Sequence, residues 1–416
     1  MNGGQTMSSG AKTFQAGTLI YSKSGLFALF GWLLWGDFAF TLMEALMPSL
    51  LPILLKANQA TNQQIIIITT TIYTVANAML NPVISYQSDR LRTRWGRRRP
   101  FIVATTPLIV IFLALVPFAP DITQWLVARG AGDFISVGGV APVIVVFGVL
   151  VGGFQIFNMF ISSVYYYLIP DVVPGEVIGR FYGLFRICGA AAGIVFNYFI
   201  FGLAESHMRE IFVTIAVGYG VCILVMCWRV QEGEYPPIEN AKSGSWWSGI
   251  ATYAKECFGR RYWWWVFLTY GCFVWAGASN VFAVFFFREN LGFSLDLLGK
   301  AGAAGGVAFM LAAYPFGILI DRIGPHKALL FALVFASLVS AFMFVFAAGT
   351  LTGIVFAVLR TVSFALISMA LMKWTVEVYP RERYGQFGSA GALFASLGGI
   401  VLGPLCGLLM DRIGKY

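Results

Sequence analysis

The sequence predicts an all-α protein that crosses a membrane many times. Of its 416 residues, 58% are hydrophobic and only 11% are charged, whereas a soluble chain carries about 25% charged residues. The apolar residues also lie in continuous runs of the length, roughly 20 residues, that spans a bilayer. Because lipid offers no hydrogen bonds to the backbone, such runs favour helices, which satisfy their own N–H and C=O groups.

The apolar runs predict eleven helices behind a polar N-terminal tail, residues 1–24. We place the helices at 25–51, 62–86, 100–119, 137–165, 178–204, 210–229, 262–287, 296–320, 326–348, 351–376 and 385–410.

The basic residues predict how the chain is oriented in the membrane, and a long polar segment predicts the boundary between its two halves. Most of the 28 Lys and Arg fall in alternate loops, which the positive-inside rule places in the cytoplasm together with the N-terminus. These loops account for the net charge of +9, so we expect no nucleic-acid partner. The longest internal polar segment, 230–261, is the predicted cytoplasmic linker between 25–229 and 262–416. The tail lacks an apolar core followed by a cleavage site, so we expect no signal peptide.

A loop packed with arginine follows the second predicted helix. Residues 88–100 read Ser-Asp-Arg-Leu-Arg-Thr-Arg-Trp-Gly-Arg-Arg-Arg-Pro, and the acid–arginine pair recurs after the eighth helix as Asp321-Arg322-Ile-Gly324. A second repeat follows the fourth and tenth helices, where Asp171-Val-Val-Pro and Glu377-Val-Tyr-Pro are each followed by Gly and Phe at equal offsets. The chain is therefore predicted to contain two related halves.

At these residues the chain resembles the major facilitator superfamily. Residues 88–102 are similar to the glycoside–pentoside–hexuronide:cation symporters, in the Arg-Trp-Gly-basic portion, and to the sucrose–proton symporters, in Gly-Arg-Arg-Arg-Pro-Phe-Ile. The resemblance implies two six-helix halves and alternating access, with a sugar or glycoside moved together with H⁺ or Na⁺. Since we find eleven helices, we expect the twelfth to be absent through truncation; the alternative is an eleven-helix variant with a periplasmic C-terminus.

The coupling ion is expected to be a proton. Melibiose-type carriers place acidic residues on the second helix for the cation, and residues 63–87 contain none, although Na⁺ stays an alternative. We predict no other cofactor and no metal site, because the six cysteines and two histidines lack the spacing of metal ligands.

The arginine-rich loop and its counterparts are predicted to form a gate. Asp89 is expected to cap a helix of the other half, most reasonably the eleventh, while the arginines pair across the interface and close the cytoplasmic side. The alternative is an ordinary positive-inside loop. The predicted gating residues are Asp89, Arg90, Gly96, Arg97, Arg98, Asp171, Asp321, Arg322, Gly324 and Glu377.

Four of the charged residues in predicted helices lie well away from the helix ends and are the predicted coupling or substrate residues: Asp37, Glu44, Arg186 and Arg360. An ionised group at the bilayer centre costs about 3 kcal/mol or more, so it rarely lies there without a task. Asp37 and Glu44 are seven residues apart and therefore share nearly one helix face. We expect Arg186 to face Asp37; the alternatives are a structural acid–arginine pair or a snorkelling arginine.

Aromatic and amide side chains inside the spans are predicted substrate contacts. Sugars offer flat apolar faces and directional hydroxyls, which such residues match. Interhelical hydrogen bonds without a substrate role are the alternative. The predicted contacts are Trp35, Tyr73, Asn77, Gln155, Asn158, Asn197, Trp275 and Asn280.

These observations together predict a monomeric secondary transporter of the plasma membrane, in bacteria the inner membrane, that imports a sugar or glycoside with a proton. It is not expected to be an enzyme, because the sequence lacks a nucleotide-binding signature and a clustered catalytic constellation. Two alternatives stay open: a transporter or exporter of another small organic solute, and a membrane sensor or scaffold that transports nothing.

Overall fold

The computed structural model describes residues 13–77, 79–80, 93–132, 139–233, 253–347, 349–380 and 384–413. Ten helices in this described part are long and apolar enough to cross a membrane. The second predicted helix, 62–86, is described only to residue 80. The predicted all-α membrane fold is therefore confirmed.

Eleven helices, several of them interrupted by short irregular turns, form the bundle of the described residues. Their bounds are α1 Lys23–Ala57; α2 Asn62–Ile66, continued by the π-helical turn Ile67–Thr71 and by 72–77; α3 Arg99–Leu115, continued by Val116–Phe118 and Ala119–Ala128; α4 Pro142–Val172; α5 Ile178–Val195, continued by Phe196–Ile200 and Phe201–Glu205; α6 Met208–Arg229; α7 Arg261–Ala276, continued by Gly277–Phe282, Ala283–Phe285 and Phe286–Asn290; α8 Leu295–Ile323; α9 Pro325–Phe346; α10 Thr350–Val378; and α11 Tyr384–Ile413.

The N-terminal tail contains a hairpin that the sequence did not predict. Strands β1 (Phe14–Ala16) and β2 (Leu19–Tyr21) pair in antiparallel register. Gly17 has a φ of +57° and takes the first place of the two-residue turn, where hairpin turns favour glycine. Burial of Tyr21 raises the pKa of its hydroxyl to about 12, which reflects how closely the hairpin packs against the bundle.

Two helix boundaries correct the sequence prediction. We expected a loop over Asp121–Ser136, but α3 continues to Ala128 because Pro117 and Pro120 occupy the first turns of helical pieces, where proline is tolerated. Helix α4 runs from Pro142 to Val172 and not over 137–165. Its C-terminal turns carry tyrosines, so the helix outlasts the purely apolar run.

The internal repeat is visible in the helix bounds. Helices α4 and α10 end 206 residues apart (378 − 172). The same spacing separates Asp171 from Glu377. Equivalent residues of the two halves therefore occupy equivalent places from the end of α4 and α10 onward.

Contacts between the halves gather at one end of the bundle. We call the end that carries Lys23 the N-terminal face and the end that carries Ala57 the opposite face. Helix α8 packs on α5, mainly on its last turns, and α11 packs on α2. Glycines permit this approach: a Cβ on Gly202 would lie 2.8 Å from Asp296 Cα, and one on Gly407 would lie 2.7 Å from Gln63 Cα.

Candidate transport site

Asp37 lies inside the first half without a full set of partners. Its side chain is 2% exposed, and its Oδ2 atom has no hydrogen-bond partner. It faces α5, where a Cβ on Gly189 would lie 3.9 Å from Oδ2. Its electrostatic neighbours are Glu44 and Arg186. A buried carboxylate with an unpaired oxygen is costly, so this position is suited to taking up a proton.

Glu44 connects Asp37 to the space between the halves. Its carboxylate lies beside Asn158 of α4, whose Oδ1 atom has no hydrogen-bond partner. Glu44 also interacts electrostatically with Tyr73 of α2 and with Tyr166 of α4. Three predicted residues, Glu44, Asn158 and Tyr73, are therefore brought together beside Asp37.

Arg186 does not form the expected close pair with Asp37. Its Nη2 atom instead lies 3.8 Å from Met372 Sδ of α10 in the other half, and its side chain is exposed. The long side chain extends away from Asp37, so that only a longer-range attraction joins the two charges. Arg186 thus lies at the junction of the halves.

A cavity of about 440 Å³ lies between α2, α7, α10 and α11. Four predicted substrate residues line it: Tyr73, Asn77, Trp275 and Asn280. Trp275 is held in place because its Nε1 donates to the carbonyl oxygen of Ala395 at 2.7 Å. The cavity is lined by the aromatic, amide, hydroxyl and small residues Thr70, Tyr73, Thr74, Asn77, Tyr270, Phe273, Val274, Trp275, Gly277, Asn280, Phe364, Ala392, Ala395, Ser396, Gly399, Leu402 and Gly403.

Arg360 supplies positive charge next to this cavity. Its Nη1 donates to Asn280 Oδ1 at 2.8 Å, while its buried Nε has no partner. Phe364, one turn further along α10, lines the cavity. Among the described residues Arg360 forms no ion pair with a carboxylate. Its Nε–H group is thus an unmatched donor close to Asn280, which lines the cavity.

Three predicted substrate residues lie elsewhere. Trp35 is exposed and lies beside Cys222 of α6, and it does not line the cavity. Asn197 donates to its own helix at Gly193, and a Cβ on Gly302 would lie 3.0 Å from its Oδ1, so it packs between α5 and α8. Gln155 is buried within α4 and does not line the cavity.

Two arginines of the predicted gate pair inside the first half. Arg97 donates to Asp171 through Nε at 3.1 Å and through Nη2 at 2.6 Å, and Arg98 Nε lies 3.3 Å from the same carboxylate. Such a two-pronged contact is among the stronger ion pairs. It joins the start of α3 to the end of α4, so it does not cross between the halves as we expected.

Glu232, just after α6, completes this cluster. Its carboxylate accepts hydrogen bonds from the backbone N–H groups of Arg97, Arg98 and Arg99 at 2.7–3.1 Å. Gly96 makes room for it: φ is +102°, and a Cβ there would lie 2.5 Å from Glu232 Cδ. The glycine of the motif is thus required by the acid that binds the loop.

In the second half, the described ion pair of the predicted gate also lies within that half. Asp321, at the end of α8, is bonded to Lys373 of α10; Arg322 and Glu377 are exposed. Gly324 ends α8 with a φ of +84°. Asp89 and Arg90 lie outside the described residues. The described pairs Arg97–Asp171 and Lys373–Asp321 each lie within one half, so these charges do not make the cross-half contact that we expected of them. The cap by Asp89 stays a prediction.

Replacement Gly96→Ala is expected to lower the unfolding temperature, because alanine at this φ is strained by about 1–2 kcal/mol and its Cβ also meets Glu232. Thermal unfolding in detergent measures the effect. Gly139→Ala is the matched control, since Gly139 has a φ of +78° with nothing within 4 Å of its Cβ position. Equal losses for the two variants would contradict a role for the Glu232 contact.

The architecture described above agrees with a family match. The family model of the Major Facilitator Superfamily matches residues 33–404. The chain belongs to the Major Facilitator Superfamily. It is thus a membrane transporter by family and by fold, as the motifs predicted.

Comparison with individual proteins supports the fold. The general alpha-glucoside permease of Schizosaccharomyces pombe is 23% identical over 172 residues, which cover 40% of this chain and 30% of the permease. The match thus spans less than a third of that relative. The crystal structure of the nucleoside transporter NupG has a TM-score of 0.65 and 16% identity, covering 92% of this chain and 91% of NupG. The inward-open xylose transporter XylE from E. coli has a TM-score of 0.63 and 13% identity, covering 93% and 90%.

Several residues of the site were missed in the sequence. Tyr270, Phe364 and Ser396 line the cavity, but single polar or aromatic residues in an apolar run do not reveal which helix face is internal. Glu232 had a detectable signal, an acid directly after α6 opposite a loop rich in arginine. Tyr73 and Asn77 are four residues apart, a spacing that predicts one shared helix face.

Proposed function

We propose that this transporter moves a sugar or glycoside together with a proton, in the direction of uptake. The observation that carries the proposal is the neighbouring pair of acids Asp37 and Glu44, of which Glu44 interacts with Tyr73, a residue that lines the cavity between the halves. A titratable pair next to a solute-sized space is what coupling of the two movements requires.

The lining of the cavity supports a polyhydroxy solute. Small-molecule sites are mostly apolar with a few directional polar groups and occupy about 300–1,000 Å³, and the cavity of about 440 Å³ falls in this range. Trp275 and Phe364 offer flat faces, while Asn77 and Asn280 offer hydrogen bonds, and Arg360 is bonded to Asn280. This pairing of aromatic faces and amides suits sugar rings and hydroxyls.

The acids support the proton as coupling ion. A charged carboxylate inside the membrane is costly, and Asp37 Oδ2 has no partner that would offset this cost. Protonation would remove it. The second helix, which carries the acids for the cation in melibiose-type carriers, has no acid over residues 63–87, so sodium coupling has less support.

The named relatives agree with this proposal without deciding it. One is an alpha-glucoside permease and one a xylose transporter, while NupG is a nucleoside transporter. The shared chemistry of these names is a solute that carries a sugar ring. A glycoside in the broad sense is therefore the solute class we propose.

Uptake into proteoliposomes tests the proposal. Purified protein is reconstituted and offered labelled glucose, xylose, sucrose, maltose and melibiose, in turn with a pH gradient, a sodium gradient or neither. We expect at least one sugar to accumulate with the pH gradient alone and to stop accumulating when a protonophore is added. Sodium-driven accumulation would overturn the proton assignment.

Other outcomes separate the remaining functions. Adenosine and uridine are included in the same assay because NupG shares the fold; accumulation of these alone would indicate another solute class. Solute efflux against its gradient would indicate an exporter. Lack of transport of every compound by correctly folded protein would favour a sensor or scaffold and overturn the proposal.

A further inference from the structure

A carboxylate of the second half binds the start of a helix of the first half. Asp411, near the end of α11, accepts hydrogen bonds from the backbone N–H groups of Asn62 and Gln63 through Oδ1 at 2.9 Å and Oδ2 at 3.0 Å. These are the first two residues of α2 after its cap. The contact crosses between the halves at the opposite face.

A carboxylate of the first half does the same in return. Glu205, at the end of α5, accepts a hydrogen bond from the backbone N–H of Leu295, the first residue of α8, at 3.1 Å. The same oxygen lies 3.4 Å from Arg288 Nη2 at the end of α7. This second contact also crosses between the halves at the opposite face.

The two contacts are made by residues at equivalent positions of the two halves. Glu205 and Asp411 are 206 residues apart (411 − 205), the spacing that also relates the ends of α4 and α10. Both bound helices carry the same cap: Thr61 Oγ1 accepts from Gln64 N at 3.2 Å, and Ser294 Oγ accepts from Leu297 N at 3.1 Å.

The first N–H groups of each of these two helices therefore donate to two acceptors, the cap hydroxyl and the carboxylate of the other half. The first N–H groups of a helix have no partner within it. The cap hydroxyl accepts a hydrogen bond from the third of these N–H groups, and the carboxylate of the other half accepts one from the first. A negative charge at this end also interacts favourably with the helix dipole, so each contact favours the closed arrangement of the two halves.

These contacts are suited to breaking repeatedly. Asn62 and Leu295 are buried while the halves are in contact, and once the halves separate, water can replace the carboxylate at each helix start. The helices beneath meet through Gly202 and Gly407, which have no side chain to interlock. By contrast, the described ion pairs at the N-terminal face, such as Arg97–Asp171, stay within one half.

We propose that Glu205 and Asp411 form a duplicated clasp, which holds the opposite face closed and releases when that face opens. They act as gating residues on the transport cycle without touching the solute. The clasp depends on alternating access and is independent of the identity of the solute or the coupling ion.

Distances between spin labels across the opposite face test the clasp. Labels are attached at Val127 at the end of α3 and at Leu351 at the start of α10, both exposed, in a background whose native cysteines are replaced. We expect Glu205→Gln and Asp411→Asn each to raise the ratio of long-distance to short-distance populations roughly three- to tenfold. The double variant should show about the product of the two effects.

Matched variants distinguish gating from general damage. Asp121→Asn removes an exposed acid on the same face that pairs with Arg209 of its own half at 2.8 Å, so it should leave the distances unchanged. Asp411→Glu should restore the closed population in part. A label pair at Gly175 and Ile323 on the N-terminal face should become shorter as the opposite face opens.

Two results would overturn the clasp: unchanged distances in the folded double variant, or an equal shift in Asp121→Asn. The measurement needs no solute, so its outcome is separate from that of the sugar–proton proposal.

Discussion

Replacement Asp37→Asn is expected to abolish proton-driven accumulation while exchange of solute for solute continues. The amide has the shape of the carboxyl group but can neither take up nor release a proton, so solute movement loses its link to the gradient. With a pH difference of one unit, one proton per solute supports about tenfold accumulation. The variant should bring this ratio to about one, measured as labelled solute inside and outside proteoliposomes.

Two further variants make this result specific. Glu44→Gln keeps a hydrogen-bonding group beside Asn158, and we expect it to retain part of the accumulation, because Asp37 is the acid with the unpaired buried oxygen. Asp121→Asn, which lies outside the site, should behave as the unmodified protein. Full accumulation by Asp37→Asn would remove Asp37 from the coupling mechanism.

Replacement Arg360→Gln is expected to weaken solute binding about ten- to a hundredfold. A hydrogen bond from a charged group contributes about 1.5–3 kcal/mol, and 1.4 kcal/mol corresponds to a factor of ten in affinity. Arg360 is a charged donor bonded to Asn280, which lines the cavity, so its loss should exceed that of any single amide. The KM for uptake and equilibrium binding to purified protein measure the change.

The stability of the Arg360→Gln protein should not fall together with its affinity for the solute. A buried cation without a carboxylate partner destabilises a fold, so Arg360→Gln should keep or raise the unfolding temperature while binding weakens. Arg360→Lys retains the charge without the planar fork and should give an intermediate affinity. Unchanged affinity in a folded Arg360→Gln protein would show that the arginine does not contact the solute.

The sequence revealed the architecture well because the signals for it are repetitive. Long apolar runs, alternating basic loops and the two acid–proline repeats each constrain the same topology. Helix ends were less predictable: α4 continues past Tyr165, since a helix ends where its capping groups are satisfied and not where hydrophobicity falls. The hairpin before α1 depends on a single glycine turn and was not predicted from the sequence.

The charged residues of the site could be predicted from the sequence, whereas its amide and aromatic residues could not be told apart from others in the spans. A charge in a span stands out by its cost. Glu44 interacts with Tyr73 and Arg360 with Asn280, and both of these residues line the cavity. Amides and aromatic residues carry no such cost, so Trp35 and Asn197 could not be separated from Tyr73 and Asn280. The partner of a charge is also hidden, because Arg186 and Asp37 are distant in sequence and their side chains extend in different directions.

The pairing of Arg97 and Arg98 with Asp171 means that these arginines serve the chain at two different times. While the chain is being inserted, α4 has not yet been made, so both arginines carry free positive charge and help to retain their loop on one side of the membrane. After folding, the same charges join α3 to α4. Asp171→Asn removes the second role alone, whereas neutral residues at both arginines remove the two together, so biogenesis and stability are separable at one loop.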